Sequence, residues 1–360
     1  MIDLLLTYDR TRRFSYGDVY LNVARNLLNE NFKVTVLDIE NLIADTKSVP
    51  VSVYLQQYTD HFKPKIVVSD HAGLYETISS VQNSPIIQDE IEDFFSTEYQ
   101  GRLQCNSPLS FPGALELKVE FIRRMRDEKL PIPQTILHED FDDWNYNSLA
   151  KKLGSPFVIK ETGQHYGKGV HLVNEESALL HKDSVVLAQR RITSVTDFPC
   201  TLRVMTFGSE IIGTFLLYSN DHLLSNAKDH TAMLLNTPIK VNDSIPSKFL
   251  GKLSNLGLNS NLELTDEIHE LATTIGGLHS RSFLRGIDIK FSEDGLPYVL
   301  EAQTGPASLQ KGTYCSIQGI KKGNVSHNFQ TAVNFLTPRF LNLLGNQNQY
   351  KAQSEQYNHA

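Results

Sequence analysis

The sequence predicts an α/β chain of more than one domain, with a parallel α/β beginning and an α+β remainder. Three features carry the prediction. Apolar strand-like runs alternate with a helical pattern over the first ~85 residues. Beyond residue 150, β-branched and aromatic runs come in pairs around short glycine-containing turns, which is hairpin chemistry. The 360 residues suffice for two or three domains with separate cores.

The elements follow in order. Ile2–Thr7 is an apolar strand, and Asp18–Glu30 spaces Val19, Leu21, Val23, Ala24, Leu27 and Leu28 as a helix does. Val34–Leu37 and Ile66–Val68 are further strands, so the opening reads as a parallel unit with helical crossovers. A helix near Leu115–Glu128 is stopped by "LPIPQT", whose prolines cannot continue it. Residues 147–180 read helix, strand, loop, strand, and Val185–Arg191 is a strand. Leu202–Phe207 and Ile211–Leu217 flank "GSE" as a hairpin. Residues 236–262, rich in Asn, Ser, Pro and Gly, read as a long loop or insertion. Thr265, Asp266 and Glu267 can begin a helix running to about Leu278. Ile287–Phe291 and Tyr298–Ala302 form another hairpin, and a last helix covers about 328–344. The polar end, 346–360, reads as a disordered tail.

Composition narrows the function. A formal net charge of −7 argues against a general nucleic-acid binder. Cys105, Cys200 and Cys315 are widely spaced with no C-x-x-C pair, as expected of a reduced cytoplasmic protein without structural zinc. No apolar run approaches the ~20 residues a membrane span requires. "MIDLLLTYD" lacks a basic start and reads as a first strand, not a signal peptide.

Two stretches carry chemistry. In "FVIKETGQHYGKGVHLV", residues 157–173, Gly163, Gly167, Lys168 and Gly169 suggest a phosphate-holding loop. It is not a P-loop, because only three residues separate Gly163 from Gly167 and Gly169 follows Lys168. It is not the dinucleotide fingerprint either, since Val170-His171-Leu172 supplies no third glycine. Strand signals on both sides make it a glycine-rich hairpin, which is either an ordinary turn or a lid whose N–H groups close over phosphates.

The second stretch is "GIDIKFSEDGLPYVLEAQT", residues 286–304. With Asp294-Gly295 in the turn, Phe291 faces Leu296 and Asp288 faces Val299. Asp288, Val299, Glu301 and Gln303 then share one face, and Ile287, Ile289 and Leu300 take the opposite, core face. Asp288 and Glu301 become diagonal neighbours roughly 7–8 Å apart at the backbone. Such hard oxygens suit Mg²⁺ (or Mn²⁺) when nucleotide phosphates complete its shell. A solvated acidic sheet face is the alternative.

Together these pieces resemble the ATP-grasp superfamily of carboxylate–amine ligases, nearest the branch of glutathione synthetase and the ribosomal-protein glutamate ligase. The resemblance covers roughly residues 100–310 and rests on six stretches in order: "ALELKVEFIRRMRDEKLPIPQT", "SPFVIKETGQHYGKGVHLV", "VVLAQRRI", "TLRVMTFGSEIIGTFLLY", "LLSNAKDH" and "GIDIKFSEDGLPYVLEAQTGP". It implies an ATP-grasp fold with a Rossmann-like pre-ATP-grasp domain at 1–105. A lid subdomain would follow at 106–190 and a C-terminal subdomain at 191–345. ATP would be bound by Lys118, Lys160, Gly163, Tyr166, Gly167, Gly169, Gln189 at the adenine edge, and Asp197 at the ribose. Mg²⁺ would be held by Asp288, Glu301 and Gln303, while Arg203 and Asn226 would serve catalysis. Thr201, Gln303, "SNAKDH" and "EAQTGPA" depart from the branch's usual Asp, Asn, glycine pair and "E-v-N-s-s-P".

The activity implied is ATP-dependent activation of a carboxylate as acyl phosphate and its joining to an amine, with release of ADP and phosphate. The alternatives are an ATP-grasp small-molecule kinase and a non-catalytic ATP-binding protein. The expected partners are small-molecule carboxylate and amine substrates, and a homo-oligomer is compatible with the sequence. Arg10, Arg12 and Arg13 read either as a solvated cluster or as contacts for an anionic substrate.

Overall fold

The structure is a computed structural model. It describes residues 3–8, 17–38, 53, 56–57, 60–61, 63, 66–70, 103–105, 118–161, 169–176, 185–193, 200–218, 231–235, 254–258, 263–278, 284–304, 337–342 and 344. The chain divides into two compact units, one comprising Met1–Ser110, Leu278–Arg285 and Thr304–Ala360, the other Phe111–Gly277 and Gly286–Gln303.

The first unit contains a four-stranded sheet in the order β2-β1-β3-β4. Its strands are β1 (Leu4–Tyr8), β2 (Val34–Asp38), β3 (Ile66–Asp70) and β4 (Leu103–Cys105). All three pairings are parallel, as strand–helix alternation requires. The helix α1 (Gly17–Asn29) buries Val23, Ala24 and Leu27 on one stripe. Asn26 Nδ2 donates to Thr337 Oγ1 at 3.1 Å, tying α1 to the helical residues 337–342. β4 was not expected, because its three residues are too few to show a period.

The second unit holds two sheets. α2 (Lys118–Asp127) buries Phe121, Ile122 and Met125 and ends before the expected proline segment. β5 (Thr135–Leu137), β6 (Phe157–Glu161), β7 (Val170–Val173) and β8 (Val185–Arg190) form an antiparallel sheet in the order β5-β8-β6-β7. α3 (Tyr146–Leu153) is capped by the Asn145 side chain, which accepts from the Ser148 N–H at 3.0 Å. Its Leu149 and Leu153 pack with Phe157, Ile159, Val173, Val185 and Ala188.

The other sheet has the order β11-β10-β9-β12-β13. Its strands are β9 (Cys200–Phe207), β10 (Glu210–Tyr218), β11 (Thr231–Leu235), β12 (Leu284–Phe291) and β13 (Pro297–Thr304). α4 (Asp266–Gly277) buries Ile268, Leu271, Ala272 and Ile275. The long loop expected at 236–262 contains a short 3-10 turn, Ser254–Leu256, and an isolated bridge from Leu258 to Leu264. Residues 346–360 lie outside the described residues.

The β12–β13 hairpin corrects the expected register at its turn. The Ser292 N–H donates to the Leu296 carbonyl at 3.0 Å, and the Gly295 N–H to the Ser292 carbonyl at 2.9 Å. Ser292, not Phe291, therefore faces Leu296. Gly295 adopts φ 78, the left-handed conformation that closes a three-residue loop. The expected core face is also revised: Ile287 and Ile289 are fully buried, but Val299 is buried in place of the half-buried Leu300.

One close approach fixes how α4 meets the β9–β10 turn. A Cβ on Gly276 would lie 2.3 Å from the Gly208 carbonyl oxygen and 2.9 Å from Thr206 Oγ1. Backbone cannot yield as a flexible side chain does, so the contact requires glycine. Gly276→Ala is expected to destabilise the protein by about 1–3 kcal/mol, the usual cost of overpacking. Urea denaturation of the variant beside wild type measures this.

Candidate active site

The site begins with β6. Phe157 and Ile159 face the core, so Lys160 points to the other side of the sheet. There its Nζ donates to the Leu300 carbonyl of β13 at 3.2 Å, bridging the two sheets of the unit. From the segment between α2 and β5, the Pro131 carbonyl accepts the Val299 N–H at 2.8 Å. Lys118 reaches the same region from α2, its Nζ donating to the Glu161 carbonyl at 2.6 Å.

Across from the lysines stand the carboxylates. Arg203 of β9 grips Asp288 of β12 through two bonds, Nε to Oδ1 and Nη2 to Oδ2, each 2.6 Å. This fork geometry is the strong form of a charge-assisted hydrogen bond. Arg203 Nη2 also lies 3.9 Å from Glu301 Oε1. A one-residue slip moves side chains to opposite faces, so the turn does not explain why the acids converge. Arg203, which meets both, establishes that they do.

The groups tune one another. Burial pushes the Lys160 amine below its ordinary value, and Lys118 adds to this while Glu301 and Asp288 oppose it. Burial lowers Lys118 as well, against the pull of Glu301 and Glu161. Glu301 moves the other way: burial raises its carboxyl and the Asp288 carboxylate raises it further, with Lys160 and Arg203 opposing. Its side chain nevertheless keeps 39% exposure, so solutes reach it.

Asp288 and Glu301 are two hard oxygen donors. Among the described residues no group of three or more His, Cys, Asp or Glu is placed to hold a metal ion. Two carboxylates fit an ion such as Mg²⁺ that takes most of its shell from phosphates and water. They do not form a self-sufficient metal cage.

Lys118, Lys160, Arg203, Asp288 and Glu301 are thus brought together. Gln189 is buried on β8 and bound elsewhere. Its Nε2 donates to Thr135 Oγ1 at 2.9 Å, and that hydroxyl donates to the Pro133 carbonyl at 2.7 Å. The threonine's proton is committed to Pro133, which fixes Gln189 as donor in this pair. Gly169 is buried, with φ 90, and its carbonyl accepts the Glu161 N–H at 2.8 Å. Gly163, Tyr166, Gly167, Asp197 and Asn226 lie outside the described residues, as does the Gln303 side chain.

Sequence reasoning missed Glu161, whose Oε1 lies 2.7 Å from His171 Nε2. The available signal was an acid at a core-facing position of an alternating strand.

A structure of the ATP-grasp ligase PsnB complexed with a minimal precursor matches with a TM-score of 0.54 at 12% identity, covering 93% of this chain and 99% of that one. The chain has the ATP-grasp fold. In sequence it is 25% identical over 265 residues to the N-acetylaspartylglutamate synthase A of Mus musculus, covering 71% of this chain and 60% of that protein. The Homo sapiens protein of the same name is 24% identical over 247 residues, covering 65% and 55%. The chain therefore matches less than two thirds of the length of these curated relatives. No protein-family model matches it. The six-stretch resemblance holds at the level of the fold.

The Arg203–Asp288 pair is largely buried, with side-chain exposures of 16% and 9%. Removing one partner strands the other charge, so Arg203→Ala is expected to cost about 3–5 kcal/mol. Adding Asp288→Ala should recover much of that loss. Denaturation of both single variants and the double variant gives the coupling energy.

Proposed function

We propose that the chain is an ATP-dependent carboxylate–amine ligase that uses Mg²⁺ or Mn²⁺. The observation that carries this reading is the convergence of Lys118, Lys160 and Arg203 on Asp288 and Glu301, on an ATP-grasp fold. The ligase and synthase names of the relatives support the reaction class. When bound, metal-associated ATP would supply the γ-phosphoryl group to a substrate carboxylate, with ADP leaving; an amine would then attack the acyl carbon of that acyl phosphate, forming the C–N bond as phosphate leaves.

Each residue has a part in this reading. Lys118 and Lys160 hold phosphate oxygens as compact cations. Asp288 and Glu301 hold the metal. Arg203 neutralises charge developing on the transferred group, and Asn226 assists it. Gly163, Tyr166, Gly167 and Gly169 belong to the phosphate-covering loop. Gln189, with its amide nitrogen engaged by Thr135, meets the adenine edge through its carbonyl oxygen, and Asp197 meets the ribose. Gln303 adds a further oxygen to the metal. The chemistry asks for positioning and charge neutralisation, not a side-chain nucleophile.

In this reading 1–105 is a Rossmann-like pre-ATP-grasp domain, 106–190 the lid subdomain, 191–345 the C-terminal subdomain and 346–360 a tail. The acceptor is an amino acid or peptide-like amine, and the setting is the cytoplasm. Among the described residues no helix is long and apolar enough to cross a membrane.

Hydroxylamine trapping tests the reaction. A panel of amino and carboxylic acids with Mg·ATP is expected to release phosphate and to yield a hydroxamate with the true substrate. A stable phosphate ester without hydroxamate would replace the ligase by a small-molecule kinase. Glu301→Gln should lower turnover on the order of 10²-fold, as loss of one group that stabilises developing charge does. Near-normal turnover in folded Glu301→Gln protein removes Glu301 from the mechanism.

A further inference from the structure

We infer that Glu161 and His171 form a latch between the end of β6 and the start of β7 and act as positioning residues for Lys118; this rests on the nucleotide-binding role proposed for that lysine.

Glu161 is engaged at three points. Its N–H donates to the Gly169 carbonyl at 2.8 Å, its carbonyl accepts Lys118 Nζ at 2.6 Å, and its Oε1 lies 2.7 Å from His171 Nε2. The first bond joins the end of β6 to the residue that precedes β7, and the second sets the height of the lysine. The third ties both to β7.

The sequence position makes the third bond informative. On β6 the core-facing places are Phe157, Ile159 and then Glu161. A carboxylate there, only 9% exposed, is unfavourable unless a donor meets it. His171 stands opposite Ile159, so it is the diagonal neighbour of Glu161 on the same face. With Glu161 as the acceptor, Nε2 carries the proton.

The β6 ladder also breaks here. The pairing with β8 shifts between Lys160 and Glu161, where Lys160 faces Leu187 but Glu161 faces Val185. The unpaired residue, Val186, is on β8, so β6 keeps its alternation, with Lys160 on one side of the sheet and Glu161 on the other. β7 is an edge strand with β6 as its neighbour, so it has backbone bonds on one side only within the sheet. The His171 side chain adds a fastening where the ladder ends. Losing it frees β7 to shift, and the Glu161 carbonyl and Lys118 shift with it. His171 faces away from Lys160, so its effect on nucleotide is indirect.

The test compares His171→Phe, which keeps a ring of similar size but no donor, with His171→Gln, whose amide donates to Glu161. His171→Phe is expected to weaken binding of an ATP analogue with Mg²⁺ about tenfold, the scale of one lost hydrogen bond to a charged group. KM for ATP should rise likewise while kcat stays within about twofold, since the reacting groups are untouched. His171→Gln should restore both. Without nucleotide, protease should cut within 162–168 faster in His171→Phe than in wild type or His171→Gln. Unchanged binding in His171→Phe overturns the positioning role, even if cleavage is faster. Equal cleavage overturns the latch. If wild type binds no ATP analogue, the nucleotide-site reading fails by itself, and the cleavage comparison still decides the latch.

Discussion

The bidentate pair between Arg203 and Asp288 is the contact on which the site depends. It spans adjacent strands, β9 and β12, and brings a guanidinium within 3.9 Å of Glu301 on β13. Burying two charges is unfavourable unless geometry is good and both ends are satisfied. Both conditions are met: the fork fits the carboxylate, and the strand carrying Asp288 is anchored by Ile287 and Ile289, which are fully buried. With that pair in place, Glu301 has a cation beside it, and Lys118 of α2 and Lys160 of β6 have carboxylates to face.

Charge balance then explains the chemistry proposed. Among the described residues, Lys118, Lys160 and Arg203 stand with Asp288 and Glu301, so opposite charges largely offset one another in the cluster. A triphosphate entering such a site brings excess negative charge, and a divalent ion entering with it offsets that charge. Burial sharpens every term by removing water. It lowers the lysines and raises Glu301, opposing the charged form in each case. Ligands that supply compensating charge restore those forms, which links occupancy of the site to its charge state.

The inter-sheet contacts have a mechanical meaning as well. Lys160 and Pro131 meet consecutive residues of β13 through main-chain groups. Main-chain partners hold position whatever side chain β13 carries, so β13 is held against Lys160 of β6 and the segment before β5 independently of the chemistry at Glu301. Thr135 performs a similar service on β5, at the edge of the β5–β8–β6–β7 sheet, relaying Gln189 to the Pro133 carbonyl. Helix α4 adds a rigid backing at the β9–β10 turn, through a glycine that admits backbone contact.

The sequence by itself determined the element types and the chemistry of the principal side chains. Period-2 and period-3.6 patterns are local properties, so β6, β8, α1 and α4 were legible from burial alternation alone. Lys118, Lys160, Arg203, Asp288 and Glu301 were legible because ordered stretches resembling one fold carry them. Short strands such as β4 and β5 were not, since three residues show no period. The tertiary structure decided what depends on distant residues meeting. It set the turn register, because Ser292 and Gly295 satisfy their bonds in a three-residue loop. It revealed that Asp288 is gripped by Arg203, eighty-five positions away along the chain. It brought Glu161 its partners His171 and Lys118, which no local pattern could supply. Hydrophobic periodicity acts between near neighbours in sequence, whereas satisfaction of buried polar groups is settled only when the whole fold has brought their partners into place.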